Sequence, residues 1–392
     1  MKKLIAIFLI FVLISSHCFA AQWTAANLVS GAAGNGNVYL NTDFNRHYRP
    51  MCADAGWTSK SRTCADVIVF ETVGDDPQLT GACTSPIGDI EAMHFTTATN
   101  TMGTMFQAWT DPTYNALAFI VVRNDNEQFF RIFLPRSPRT GCNVATEVDE
   151  IKSTDLTGTS WGTLTTVIPS TGNVEFGGWL NTQGGNHALV VFNDSNNGTR
   201  TSLYKTTDNG DSFNLTAYSF ITGSNGNIEG AFLNSYNNDG RVLGIMRNSS
   251  QGFLKMVTSS DWGVTWSAVT NTDLGGNNGA SGVKVNPRME VSGGYPNRVT
   301  IAYYDRNLSR GVVSSPTLFD NAFKGQYTPY FLISNGEDGN GGMFTIDESL
   351  HKYLILFDNN STPSNGTNWW VGKDIYYPSK LTGNSKVYLN GK

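Results

Sequence analysis

A short pattern recurs along the middle of the chain at a nearly constant interval. Three segments, which we call the box segments, carry it: Ser153–Trp161, Thr206–Phe213 and Ser259–Trp266. Their aspartates, Asp155, Asp208 and Asp261, are spaced by 53 and 53 residues, and the first copy holds one inserted residue. Self-similarity at a fixed period of this size predicts one supersecondary unit per repeat.

The rest of each repeat has the sequence of β-strands. Apolar runs alternate with Gly, Asn and Asp turns and include Ala116–Val122, Ala188–Phe192, Val242–Met246 and Val299–Tyr304. Four strands per repeat of this length are typical of a propeller blade. We therefore expect an all-β, six-bladed β-propeller, whose first strands begin near Asn37, Ile90, Val174, Ile228, Val283 and Gly342. Seven blades are the alternative. About 370 residues remain after the leader described below, and dividing them by the 53-residue repeat gives nearly seven units.

The two ends of the chain are expected to meet in one blade. The last repeat has three strands, ending at Trp369–Tyr377, and the segment Trp23–Val29 resembles the fourth strands that follow the box segments. Pairing the two would complete the last blade and remove exposed strand edges. The propeller is assigned to residues 21–380, with a tail at 381–392.

The N-terminus predicts export. Residues 1–20 combine Lys2 and Lys3 with a short apolar run and small residues before Ala21, which is the pattern of a signal peptide. A lipoprotein signal at Cys18 is the alternative, and His17 disfavours it. We expect a periplasmic or secreted protein, and no later stretch is apolar enough to span a bilayer.

Composition excludes several classes of partner and cofactor. Charged residues make up 15% of the chain, the net charge is −5, and no basic stripe is present, which disfavours nucleic acid. The five histidines show no metal-ligand spacing. We predict neither a metal site nor a cofactor.

The box segments have a structural role in this interpretation. The Asp carboxylate accepts hydrogen bonds from its own loop, and the Gly allows a positive φ. The Trp or Phe that ends each segment is expected to pack against the next sheet. The three segments resemble the Asp-box (BNR) repeats of the sialidase superfamily.

One longer stretch also resembles that superfamily. Residues 229–247 are similar to its fourth-blade stretch, where a Glu opens the inner strand and an Arg ends the second strand. The resemblance implies that Glu229 activates a tyrosine nucleophile and that Arg247 is one of three arginines holding a sialic acid carboxylate. A bidentate guanidinium suits a carboxylate geometrically.

For the other functional residues of the sialidase pattern, the best candidates in this chain lie at positions shifted from those of the family. Tyr48-Arg49-Pro50, which follows the first expected strand, is the best substitute for the family's Arg-Ile-Pro motif, since Arg131-Ile-Phe falls on a third strand. The nucleophile would be Tyr327 or Tyr330, both some residues before the family position. The third arginine is left open among Arg288, Arg298 and Arg306.

The repeat itself predicts a cluster of charges at the axis. Glu91, Glu175 and Glu229 occupy equivalent starts of three first strands, and Arg123 and Arg247 occupy equivalent ends of two second strands. Paired carboxylates are what glycoside hydrolysis needs. The sequence therefore favours a sialidase-like glycoside hydrolase acting on extracellular glycans; the alternative is a non-catalytic propeller that binds glycan or protein. A carbohydrate or glycoprotein is the expected partner, and the oligomeric state is open.

Cys52, Cys64, Cys83 and Cys142 remain after leader removal, and an even number in an exported chain predicts two disulfides. We expect local pairing, Cys52 with Cys64 and Cys83 with Cys142, among three possible connectivities. Mass mapping of non-reduced peptides should recover these two linked pairs. A Cys52–Cys142 bridge, or free thiols at Cys83 and Cys142, would contradict it.

Overall fold

A computed structural model gives the fold. The residues it describes are 27–28, 47–50, 66–73, 89–96, 101–102, 106–116, 119–123, 127–138, 147–169, 175–194, 200–215, 220–221, 230–235, 237, 239–246, 254–272, 274, 284–292, 298–305, 310–314, 317–327, 330–332, 342–347, 352–358 and 367–373. The predicted signal peptide, the C-terminal tail and the four mature cysteines lie outside these residues.

The described strands form six antiparallel sheets. A short strand, β1 (Asn27–Leu28), precedes sheet one, which contains β2 (His47–Pro50), β3 (Asp66–Val73), β4 (Asp89–Thr96), β5 (Thr101–Met102) and β6 (Phe106–Trp109). Sheet two contains β7 (Tyr114–Ala116), β8 (Ile120–Val122), β9 (Arg131–Pro138), β10 (Glu147–Lys152) and β11 (Thr165–Pro169).

The next two sheets have four strands each. Sheet three contains β12 (Glu175–Asn181), β13 (His187–Asp194), β14 (Arg200–Thr206) and β15 (Phe220–Ile221). Sheet four contains β16 (Gly230–Asn234), β17 (Val242–Met246), β18 (Lys255–Ser259) and β19 (Thr270–Asn271).

Sheet five and sheet six complete the described part of the fold. Sheet five contains β20 (Lys284–Ser292), β21 (Arg298–Asp305), β22 (Arg310–Ser314), β23 (Thr317–Leu318) and β24 (Tyr330–Leu332), with a short helix, α1 (Phe319–Ala322), between the last two. Sheet six contains β25 (Gly342–Asp347), β26 (Lys352–Asp358) and β27 (Thr367–Lys373), and β1 pairs with β27 through Asn27↔Val371 and Leu28↔Trp370.

The second strands explain why the sheets stack face to face. In β13, residues 188–192 are all fully buried, because Ala188, Val190 and Phe192 pack towards sheet four while Leu189 and Val191 pack towards sheet two. Side chains alternate between the two faces of a strand, so a strand buried on both faces must be apolar throughout. In β17, Leu243 and Ile245 likewise face sheet five. The chain is an all-β propeller, as the sequence predicted.

We call β2, β8, β12, β16, β20 and β25 the first strands, because each lies at one edge of its sheet and contacts the first strands of the two neighbouring sheets. The sequence predicted the positions of four of them correctly. The expected strand start at Ile90 is wrong, because Ile90 lies in β4, the third strand of sheet one. The Gly88–Glu91 motif resembles the later repeats locally, but backbone pairing with β3 decides its place. The other expected start, Asn37, lies outside the described residues.

The box segments form tight turns built on their aspartates. Asp208 accepts hydrogen bonds from the backbone N–H of Ser212 (2.9 Å), the Ser212 hydroxyl (2.6 Å) and the Thr206 hydroxyl (2.7 Å). Asp261 is bound in the same way by Thr265 and Ser259. The box glycines have positive φ, at 65° for Gly158, 110° for Gly210 and 77° for Gly263, as expected.

The aromatic residue of each box packs against the preceding sheet, and the expected contact with the following sheet is wrong. Trp161 packs edge to face on Phe70 of sheet one, with 5.8 Å between the ring centroids. Phe213 packs in the same way on Phe133 of sheet two, with 5.6 Å between the ring centroids. The reason is that the box turn folds over the face of its own sheet that the preceding sheet covers, where Phe213 joins the apolar cluster between sheets two and three.

Asp208 makes sheet three sensitive to acid. Its slight burial opposes ionisation, but the hydrogen bonds from Ser212 and Thr206 outweigh it and lower the pKa from 3.8 to about 2. A depressed folded-state pKa contributes stability above pH 4 that is lost as the pH falls from about 4 to about 2. Asp208→Ala should lower the free energy of unfolding by about 1 kcal/mol at pH 7, allowing for solvent screening, and by much less at pH 2.

Thermal unfolding at both pH values measures this difference. Thr270→Ala is the control, because Thr270 is exposed, uncharged and outside the box turns, so its effect should be the same at both pH values. A loss from Asp208→Ala that is the same at pH 7 and pH 2 would contradict the ionic role of the carboxylate.

Candidate functional site

The box turns define one end of the sheets. In sheet three, β14 ends at Thr206, which pairs with His187, and His187 pairs with Asn181, the last residue of β12. We call this the box end. The first residue of β12, Glu175, pairs with Phe192 and therefore lies at the opposite end, about 20 Å away at the usual rise per residue.

Hydrogen bonds align the adjacent first strands β12 and β16 with each other. The Asn234 side chain of β16 accepts a hydrogen bond from the backbone N–H of Asn181 (2.8 Å) and donates one to its carbonyl (3.0 Å). These two residues are 53 apart, whereas Glu175 and Glu229 are 54 apart. The extra residue lies in a bulge of β12 between Phe176 and Gly178. The bulge accounts for the one-residue difference in spacing, and the expected equivalence of Glu175 and Glu229 stays a prediction.

Glu229 and Arg247 themselves lie outside the described residues. Their neighbours are described: Gly230 begins β16, Met246 ends β17, and the two are directly paired. This register pair lies at the end of sheet four opposite its box.

The first strands also carry two of the remaining arginine candidates. Arg49 lies within β2, where it pairs with Ile68, so it occupies a first strand and does not follow one as expected. Arg288 lies within β20 and pairs with Ala302. Arg298 begins the second strand β21 at its pairing with Ser292, the last residue of β20, and Arg306 lies outside the described residues.

Two predicted members of the axial cluster stand elsewhere in the sheets. Glu91 lies in β4, a third strand, paired with Glu71, so its expected equivalence to Glu175 is wrong. Arg123 follows β8, a first strand, and its expected place at the end of a second strand is wrong. It lies at the box end, where Val122 pairs with Arg131, and its Nε donates to the Glu127 carbonyl (3.0 Å).

Neither of the two tyrosines considered as nucleophiles lies on a first strand. Tyr327 follows α1 and packs against the apolar cluster between sheets four and five. Tyr330 begins β24, at the outer edge of its sheet, and pairs with Ser314. Within its described range, the sixth first strand, Gly342–Asp347, contains no tyrosine.

A buried charge network at the box end was not predicted from the sequence. Arg131 is 3% exposed and forms ion pairs with Glu127 (2.6 Å), with Glu150, and with Asp211 (2.5 Å) of the neighbouring sheet. Burial alone would lower the pKa of Arg131, but hydrogen bonds with Glu127 and Asp211 outweigh it and raise the pKa. Burial raises the pKa of Glu150. The signal in the sequence, an Arg directly after an aromatic pair, is too common to identify such a network.

This network joins two sheets. Lys152 of sheet two also contacts Asp211 in the box of sheet three (2.6 Å), so two cations of one sheet bind one carboxylate of the next. The carboxylates of Glu127 and Glu150 are both buried and engaged with Arg131. We therefore assign the network a structural role, which is to join sheets two and three.

Comparison with known proteins gives the fold. No protein-family model matches the chain, and no curated protein matches it. A protein of unknown function from Dyadobacter fermentans DSM 18053 is similar in structure, with a TM-score of 0.59 and 13% identity over 89% of this chain and 99% of that one. The NanB sialidase from Streptococcus pneumoniae gives 0.61 and 10% over 90% of this chain and 71% of that one. At these identities the likeness concerns the fold alone.

Within the described ranges, no helix has the length and apolarity needed to cross a membrane. In the same part of the chain, no group of His, Cys, Asp and Glu side chains is arranged to hold a metal ion.

Replacing Arg131 should weaken the joint between sheets two and three. Arg131→Met removes the arginine that pairs with the buried Glu127 and Glu150, which costs about 3–5 kcal/mol. Lys152→Met is the matched control, because Lys152 belongs to the same network but is 38% exposed, and its loss should cost under about 1 kcal/mol. Denaturant unfolding of the two variants measures the difference, and equal losses would contradict the assignment.

Proposed function

We propose that the six sheets are the six blades of one closed propeller. Three observations support this: the described strands fall into six sheets, their first strands contact one another in cyclic order, and β1 pairs with β27. A ring of this kind surrounds a central axis with its first strands. The six-sheet count favours six blades over the alternative of seven.

We propose further that the axial opening opposite the box end binds a glycan and hydrolyses a glycosidic bond. The observation that carries the proposal is the alignment of β12 with β16. Two hydrogen bonds between the Asn234 side chain and the backbone of Asn181 hold these neighbouring first strands at equivalent positions. This alignment supports a pair of carboxylates, Glu175 and Glu229, at the starts of two adjacent first strands. One carboxyl group would protonate the leaving oxygen, and the other would act as nucleophile or as base for water.

Arginines would orient the substrate in this site. Arg247 follows Met246, the partner of Gly230, and is thereby proposed as the neighbour of Glu229. Arg49 and Arg288 lie on the first strands of sheets one and five, so they are the further candidates. Guanidinium groups bind carboxylates bidentately, which favours an acidic glycan. Arg123 and Glu91 are left out of the site because of their places in the sheets.

A carboxylate pair differs from the tyrosine mechanism that the sialidase resemblance implied. The positions of Tyr327 and Tyr330, neither of which lies on a first strand, support this choice. The same observation favours a second function, a non-catalytic propeller that binds glycan or a glycoprotein through the same arginines. In either case we propose that the chain is exported to the periplasm or the medium, where such glycans occur.

Glu229→Gln tests hydrolysis. The substitution is nearly isosteric and removes only charge and proton transfer, so turnover of the best substrate should fall by at least about 100-fold while the melting temperature stays within about 2 °C. The measurement is release of fluorophore from a panel of methylumbelliferyl glycosides that includes a sialoside. Glu91→Gln, on a third strand, is the matched control and should retain activity.

Three results would change the assignment. Equal turnover by wild type and Glu229→Gln would remove Glu229 from the mechanism. A loss with Glu91→Gln as large as that with Glu229→Gln would contradict the place given to the axial site. If wild type cleaves no glycoside but binds an acidic glycan, and Arg247→Ala loses that binding, the non-catalytic function holds.

A further inference from the structure

A cavity of about 440 Å³ lies at the box end, between the boxes of sheets three and four. Its walls come from the β12–β13 turn, from the end of β14 with its box, and from the box segment of sheet four. This volume is in the range of sites for small molecules. The cavity lies at the opposite end of β12 from Glu175, so it is separate from the proposed axial site.

One wall is apolar and unusual for a surface turn. Trp262 and Val264 form it, and Val264 is 51% exposed. Trp262 has φ of 63°, a left-handed conformation that is an outlier for a bulky side chain. The corresponding residue of the preceding box is Asn209, with φ of 62°, and Asn tolerates this conformation. Backbone stability alone would therefore favour Asn at position 262.

The indole of Trp262 lies close to Gly240. Its backbone N–H donates to the Gly240 carbonyl (2.7 Å), and a Cβ on Gly240 would lie 2.9 Å from the indole nitrogen. Only a glycine allows this approach. Trp262 is half-buried, and it forms part of the cavity wall. Strained residues held by their surroundings cluster at ligand sites.

The other wall presents unused polar groups. The side chains of Gln183, Lys205 and Thr207 make no hydrogen bond or ion pair within the part of the chain that the structure describes, and all three residues line the cavity. The remaining lining residues are mostly amides and hydroxyls, and none is a carboxylate. The rigid box turn, in which Asp208 binds Thr206 and Ser212, supports this wall.

We propose that this cavity is a second, non-catalytic saccharide-binding site, with Trp262 as the aromatic platform for a sugar ring. A large planar side chain offers apolar area to the faces of the ring, while the amides, hydroxyls and ammonium group on the opposite wall bind its hydroxyls. Such a site would hold the chain on a polysaccharide at the end remote from the axial opening. The proposal does not depend on the axial site being catalytic.

The experiment uses the indole N–H resonances of ¹⁵N-labelled mature protein, which contains nine tryptophans. The resonance missing from Trp262→Asn identifies Trp262. Maltohexaose, xylohexaose and chitohexaose are the neutral probes, and hexagalacturonate is the acidic one, which would bind Lys205 through a carboxylate. At least one probe should shift the Trp262 resonance in a saturable way. The shift should persist in Glu229→Gln, which separates this site from the axial one.

Variants complete the test. Trp262→Asn installs the residue of the preceding box, so it should fold as stably as wild type and bind the effective probe at least tenfold more weakly. Gln183→Ala changes an exposed side chain without a described partner and should weaken binding at least threefold without affecting folding. Leu318→Ala, an exposed apolar residue outside the cavity, is the control and should bind as wild type. The proposal is overturned if no probe shifts the Trp262 resonance, or if both site variants fall short of these losses.

Discussion

Apolar contact between neighbouring sheets is the constraint on which the rest of this structure depends. The second strands β13 and β17 are buried on both faces, and their alternate residues enter two different clusters. Removing this apolar surface from water supplies the dominant stabilising free energy. A sheet that is buried on both faces cannot be stable alone, so sheets three and four each need a neighbour on both sides, and their first strands are brought together as a result.

Polar interactions then fix how the sheets are placed against one another. Asn234 binds the backbone of the adjacent first strand, Arg131 reaches Asp211 of the next box, and Arg241, directly before β17, pairs with Asp320 of α1 in sheet five. These contacts are directional, whereas apolar packing is not. The box turns contribute at the same end, where their aromatic side chains pack on the preceding sheet. Directional contacts between sheets and the turns of the boxes are thus found at the same end as the cavity.

The two ends of the sheets differ in chemistry. The box end carries the Arg131 network, the box turns and the Trp262 cavity. The opposite end carries the starts of first strands, and it brings together residues far apart in the chain. Catalysis proposed at one end and saccharide binding proposed at the other are compatible, because each rests on different residues and each has its own test.

The sequence alone determined the fold class, four of the first strands and the geometry of the box turns. It could do so because these features depend on local patterns: period-two apolar runs, a 53-residue repeat, and an Asp followed by Gly and an aromatic residue. The tertiary structure decided which motif belongs to which strand. Glu91 has the right neighbours in sequence but the wrong strand, and Arg49 lies on a first strand that no local pattern marked. The Arg131 network and the Trp262 cavity likewise arise between sheets, where residues distant in sequence meet, and no repeat pattern encodes that meeting.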